Sequence, residues 1–299
     1  MGGETEGEPD TTTLRSMPLP ISFLSDFGHD DEFVGVVHGV IARIAPDVLV
    51  IDIGHDFPRG DVQTASLALL RSVQYLPEGI ALAVVDPGVG TDRLAIAART
   101  PWGVFVGPDN GVLAPAVAMV GGADLIVSIE AAEFRLPVHG ATFDGRDVFA
   151  PAAAVLASAE AEITDLGPSV DPGQVMPMMI PLVEEDAFGA IQGEVLWVDH
   201  FGNAQTNGTP DDLASIGLEP GSVVSVVIAG AEQRLPWVDA YGELQPGEAL
   251  VHVDSYGQIA VAVRDGRADE TFGLGVGTPV TFRKPVDDDE LHIVAADDD

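Results

Sequence analysis

Three short apolar runs, each separated from the next by a helical pattern, constrain this chain more than any other feature. Residues 20–27 (PISFLSDF) read as a strand. Behind it Phe33, Val34, Val37, Ile41 and Ile44 recur at helical spacing, with Asp30 and Asp31 placed to cap that helix. Residues 48–53 (VLVIDI) form a continuous apolar strand, and Asp61 then caps a second helix with Ala65, Leu69, Val73 and Leu76 on one face. Residues 80–85 (IALAVV) are a third buried strand. Strands that are apolar on both faces and alternate with helices belong to a mostly parallel sheet covered on both sides. Residues 94–98 and 104–106 lie too close together for a helix between them and pair as a hairpin; residues 148–159 form an Ala-rich helix after Asp147.

The pattern changes near residue 170. DPGQVMPMMIPLVEED carries three Pro and reads as a linker. Beyond it come short strands broken by Gly and Pro: GEVLWVD, SVVSVVIAG, EALVHVD, QIAVAV and TPVTF. The expected organisation is an α/β N-terminal domain over residues 19–172, a linker over 173–190 and an all-β barrel domain over 191–285. Residues 1–18 hold four acids and one Arg, and 286–299 hold seven acids, so both read as disordered acidic tails.

Charge narrows the partners. The chain has 48 Asp+Glu against 13 Lys+Arg, a formal net charge of −35. A polyanion needs a basic face, so nucleic acid is excluded as a partner, and an anionic membrane surface with it. There is no Cys, hence no disulfide, thiolate metal site or Cys nucleophile. No apolar run approaches the ~18 residues of a membrane span. The opening MGGETEGEPDTTT is the opposite of a signal peptide, so a cytoplasmic protein is expected. Lys284 is the one lysine; a salt-rich cytoplasm and a GC-rich genome both account for that, and neither bears on function.

In open α/β sheets, ligands bind beyond the carboxyl ends of the strands. Here those ends read SDFG (25–28), DIGHD (52–56) and DPGVGTDR (86–93), and a later TFDGRD (142–147) precedes a helix. Asp26 is placed either to accept a ribose diol or to cap the next helix. The DPGVG turn lets Asp86 and Arg93 meet, as a site ion pair or as a surface salt bridge. Asp26, Asp52, His55 and Asp56 offer carboxylate and imidazole without HxH or HExxH spacing, so no metal site is expected. The GxGxxG, P-loop and GxSxG patterns are absent. His29, His38, His139, His200, His252 and His292 have no evident partners and read as structural or exposed. In the second domain, Phe201 and Asn203 could stack on a flat ring and pair with a base edge, or be a core Phe and a turn Asn. Ser255 lies in a loop.

Taken together, SDFG, DPGVGTDR, VGPDNGVL, TFDGRDVFAPAAA, DHFGNAQTN, LPWVDAYG and the DSYG-to-IAV segment resemble the S-adenosyl-L-methionine (SAM) hydroxide adenosyltransferases. These are SAM hydrolases related to the fluorinase and chlorinase. The resemblance runs from about residue 20 to residue 284. It implies hydrolysis of SAM to adenosine and L-methionine by water attacking ribose C5′. It also implies a homotrimer with each site between two subunits. SAM is then the substrate, and no cofactor or metal is expected, because a sulfonium is already a good leaving group. By resemblance Asp86 and Arg93 orient the water, and an acid at position 86 disfavours a halide. Asp26 takes the ribose hydroxyls, Asp199 the methionine ammonium, Ser255 its carboxylate, and Phe201 and Asn203 the adenine. One departure stands out: the family's TFHGRD is TFDGRD here, which puts Asp144 in place of a catalytic His. Asp144 either replaces that His, slows the reaction, or leaves a protein that binds SAM or adenosine without turnover.

Overall fold

The computed structural model describes residues 17–137 and 140–286. The chain divides into two compact units between Met178 and Met179. Apart from residues 17, 18 and 286, the acidic tails lie outside the described residues, as do His139 and His292.

The first unit runs β1 (Ile21–Ser25), α1 (Phe33–Ile44), β2 (Val50–Gly54), α2 (Val62–Val73), β3 (Ile80–Val84), β4 (Ala95–Arg99), β5 (Val104–Pro108), α3 (Ala114–Met119), β6 (Leu125–Ser128) and α4 (Ala150–Ala157). Its six strands lie in the order β2-β1-β3-β5-β4-β6. The pairs β1–β2, β1–β3 and β3–β5 are parallel, while β4 is antiparallel to both β5 and β6. The sheet is therefore mixed, with β4 alone reversed, because the short β4–β5 turn permits only a hairpin.

Every residue of β1 and β3 is buried, which is why their runs are apolar without alternation. Ile21 and Phe23 of β1 and Ile80, Leu82 and Val84 of β3 share one core with Val37 and Ile41 of α1 and seven of the eight residues of α4. Small side chains along α4 let it sink entirely into that core. Helices α2 and α3 pack on each other instead.

Three local expectations are corrected. The first strand stops at Ser25, so Asp26 and Phe27 leave the sheet and form a loop. Helix α1 begins at Phe33 behind Glu32 without a side-chain cap. Asp30 and Asp31 stay exposed in the bend before it, too far back to reach its first N–H groups. The Ala-rich helix is preceded by a single π-helical turn, Gly145–Phe149, and ends before Ala159, whose φ is 55°. Asp61 does cap α2, accepting the Thr64 N–H at 3.0 Å.

The second unit runs β7 (Glu184–Glu185), β8 (Ile191–Val198), β9 (Ala204–Thr206), α5 (Pro210–Ser215), β10 (Val223–Ile228), β11 (Ala231–Pro236), β12 (Ala249–Val253), β13 (Ile259–Val263), α6 (Ala268–Phe272) and β14 (Pro279–Arg283). The strands follow the order β11-β10-β14-β8-β9-β13-β12, with β7 beside β8. A bridge between Trp237 and Val251, with Val238 N–H on the Val251 carbonyl at 3.0 Å, links the two ends into a near-closed barrel. Trp237, Phe282, Val226 and Val261 fill its core. The two helices are short insertions between strands; α5 starts on a Thr209–Asp212 capping box.

Candidate active site

Chemistry in the first unit gathers where β1 and β3 end. β3 delivers Asp86 and the chain turns back at once, with Val89 N–H on the Asp86 carbonyl and Thr91 N–H on the Gly88 carbonyl. Gly90, at φ +79°, is needed twice: a side chain there would be strained, and its Cβ would lie 2.7 Å from the Ala141 carbonyl oxygen. The turn thus packs directly on the segment leading to Asp144.

The reversal returns Arg93 to Asp86 as a two-pronged ion pair, Nε on Oδ1 at 3.0 Å and Nη2 on Oδ2. The same Nη2 donates to Asp144 Oδ2, so two carboxylates flank one guanidinium. The side chains of Asp86, Arg93 and Asp144 are 6%, 12% and 20% exposed, which removes the reading of a surface salt bridge. Burial alone would lower the Arg93 pKa, but the two carboxylates outweigh it and push it up. Arg93 also lies 5.2 Å over the Phe149 ring on the π-helical turn. Asp144 Oδ1 accepts no hydrogen bond from the described residues. A cleft of about 380 Å³ opens here, lined by Thr91, Arg93, Glu130, Arg135 and Asp144.

Asp26 sits beside this group. Its Oδ2 accepts the Gly60 N–H at 2.7 Å, not a helix N–H, so it caps nothing. Gly60 in turn lies against Pro87 of the DPGVG turn. Phe27 stacks edge-on to Phe143 with ring centroids 5.6 Å apart, and a Cβ on Gly145 would come 2.8 Å from its ring. SDFG, DPGVG and TFDGRD are therefore one packed group of loops.

Two residues here escaped the sequence reading. Asn110, in the PDNG segment, donates from Nδ2 to the Val85 carbonyl at 2.8 Å, tying down the residue before Asp86. Asp109 accepts the Met176 N–H at 2.7 Å, and burial raises its pKa despite that bond. Among the described residues no group of three His, Cys, Asp or Glu is placed to hold a metal ion. His38 is not without a partner either, since its Nε2 lies 2.9 Å from Asp52 Oδ1.

In the second unit the loop after β8 folds around Asp199. Its Oδ1 accepts the N–H groups of Phe201 and Asn203 at 2.9 Å each, and its Oδ2 accepts Asn203 Nδ2 at 2.8 Å. Phe201 is 71% exposed, so it is not a core Phe. With Asn203, Tyr241, Arg264 and Arg267 it lines a groove of about 790 Å³. Tyr241 was not singled out in the sequence; its hydroxyl lies 3.3 Å from Asn203 Nδ2 and 3.2 Å from His252 Nε2. Ser255 is exposed in the turn between β12 and β13 and is not among the residues lining this groove.

Comparison with known proteins decides the family. The family model for the SAM hydroxide adenosyltransferase N-terminal domain matches residues 21–167, and that for the C-terminal domain matches residues 193–281. The chain belongs to the SAM hydroxide adenosyltransferase family. Within it, the chain is 45% identical over 263 residues to the (R)-S-adenosyl-L-methionine hydrolase of Salinispora tropica, covering 87% of this chain and 96% of that protein. A more distant relative is a fluorinase from an Actinoplanes species, 24% identical over 293 residues, 88% of this chain and 97% of that one. A crystal structure of an uncharacterized conserved protein from Thermotoga maritima superposes with a TM-score of 0.80 at 36% identity, over 88% of this chain and all of the other. Each unit of this family member holds one matched segment, and the eight residues expected at its site all lie within those segments.

Proposed function

We propose that this protein hydrolyses SAM to adenosine and L-methionine, and that Asp86, Arg93 and Asp144 hold and deprotonate the attacking water. The observation that carries this reading is the shared guanidinium: Arg93 binds both carboxylates at the edge of a cleft, inside the matched family segment. Asp86 spends both oxygens on Arg93, which suits it to fix the guanidinium. Asp144 spends one, which leaves Oδ1 to take the proton. Water oxygen bonds C5′ as the C5′–S bond breaks. Sulfur keeps the bonding pair and leaves as a neutral thioether, so no acid is needed on that side. Confining the water and the substrate in line lowers the barrier further.

Asp26 binds the ribose diol, Phe201 and Asn203 the adenine, Asp199 the methionine ammonium and Ser255 its carboxylate. The protein acts in the cytoplasm as a homotrimer with each site between two subunits. The S. tropica relative is named for the R epimer at sulfur, and we extend that preference to this chain. A fixed acid at position 86 disfavours halide as nucleophile.

Incubating each sulfur epimer of SAM with the protein, with and without chloride, should release adenosine and methionine from the R epimer regardless of chloride. In 18O-water the label should appear at C5′ of adenosine. Replacing Asp86 by Ala should abolish turnover while adenosine still binds. A folded protein giving no adenosine above buffer, or a label-free product, would overturn the reading.

A further inference from the structure

One buried cluster is left unused by the water site. Ser25 is fully buried and His55 is 1% exposed, and Ser25 Oγ lies 2.7 Å from His55 Nδ1. Ser25 Oγ also accepts the Phe27 N–H at 3.4 Å. On the other side, the Gly28 N–H donates to the His55 carbonyl at 2.8 Å. His55 therefore grips the SDFG loop at Ser25 by its ring and at Gly28 by its backbone, and Asp26 stands between the two grips. The ring itself packs on Phe23, with centroids 4.6 Å apart.

The proton positions follow from the neighbours. His55 Nε2 stands 3.2 Å from Asp52 Oδ1, out of line for a full hydrogen bond, and no other described residue satisfies it. A carboxylate on that side keeps the proton on Nε2, so Nδ1 is the acceptor and Ser25 Oγ–H the donor. Asp52 is in turn held by His38 Nε2 at 2.9 Å.

We propose that His55 is a positioning residue that fixes Asp26 for the ribose diol, its ring acting through Ser25 as the neutral Nε2–H tautomer and its main chain holding Gly28. This inference rests on the assignment of Asp26 to the diol. Asp26 is the first residue past the end of β1, where no ladder holds the chain. Here the grip by His55, with Gly60 N–H on Asp26 Oδ2, takes the place of the ladder.

The test is discrimination between adenosine and 2′,3′-dideoxyadenosine, measured by calorimetry on the full chain. The wild type should bind adenosine at least tenfold more tightly, through a charge-assisted hydrogen bond pair. In His55→Gln that preference should fall about tenfold, with dideoxyadenosine affinity unchanged. Ser25→Ala, which removes one hydroxyl and leaves the fold's packing in place, should lose part of the same preference. A merely structural role would weaken both ligands alike, and that result would overturn the proposal. So would a folded His55→Gln or Ser25→Ala that kept full discrimination. If the wild type itself shows no preference while Asp26→Ala behaves identically, it is the diol assignment of Asp26 that falls, and the inference with it.

Discussion

At the scale of a single residue, the proposed water site turns on Asp144. A His in its place would bring a neutral base; Asp144 brings a carboxylate already half-engaged by Arg93. Replacing it with Asn keeps the shape and the contact to Arg93 but removes the proton acceptor. A positioned general base contributes about 10²–10⁴ in rate. Asp144→Asn should therefore lower kcat by about that factor, with KM nearly constant. Asp144→His should keep turnover within about tenfold of wild type, because imidazole at that position can accept the same proton. Steady-state kinetics on the R epimer of SAM checks both. If wild type is inactive and Asp144→His gains activity, the silent-binder reading wins instead. The residue scale also shows what local sequence could reveal. The Asp86–Arg93 pair was legible because a Pro-Gly turn joins its members seven residues apart. Asp144 is 51 residues from Arg93, and only the resemblance pointed to it. Ser25 and Asn110 stand inside the SDFG and VGPDNGVL motifs, but their contacts were not legible, because the partners, His55 and Val85, lie 30 and 25 positions away.

Among elements, length governed what the sequence disclosed. β1 and β3 are buried runs and β2 is a partly exposed edge strand, and the two helices of 12 residues among them are long enough for their period to show. β6, α3, α5 and α6 have four to six residues each, too few to fix a period, and were not resolved. The π-helical turn Gly145–Phe149 was hidden too, since its extra residue only shifts a helical phase. That turn nonetheless sets the site, placing Asp144 at its start and Phe149 under Arg93. It depends on Gly145, where a Cβ would press on the Phe27 ring at 2.8 Å. Gly145→Ala must push Phe27, and Asp26 beside it, away from the turn. Overpacking of this kind costs about 1–3 kcal/mol. The expected outcome is a urea midpoint lowered accordingly, together with a raised KM for SAM. An unchanged midpoint and KM would show that the loops are not packed as one group.

For the molecule as a whole, charge and buried imidazoles pull in different directions, and pH separates them. With 48 acids against 13 Lys and Arg, self-repulsion is large and screened by salt. Added KCl shortens the Debye length from ~10 Å at 0.1 M to ~3 Å at 1 M, so Tm should rise over that range. Salt also weakens exposed ion pairs such as Arg99–Asp124, but each of these is worth only about 0–1 kcal/mol, so the repulsion term dominates. At 1 M KCl, with repulsion suppressed, the imidazoles become visible. Burial pushes His55 below its ordinary value of 6.5 despite Asp52, and does the same to His252 despite the Val253 carbonyl and the charges of Asp254 and Asp199. The folded protein thus resists protonation that the unfolded chain accepts. The stability this gives is complete above the unfolded value of 6.5 and is lost as pH falls through the lower folded values. Carboxylates with ordinary values near 4 barely titrate between pH 7.5 and 5.5, so in that window the imidazoles set the sign. Urea midpoints at 1 M KCl should decline from pH 7.5 to 5.5, and the decline should shrink in His55→Gln. A midpoint that rose on acidification would mean that residual repulsion, not the buried imidazoles, governs stability even at high salt.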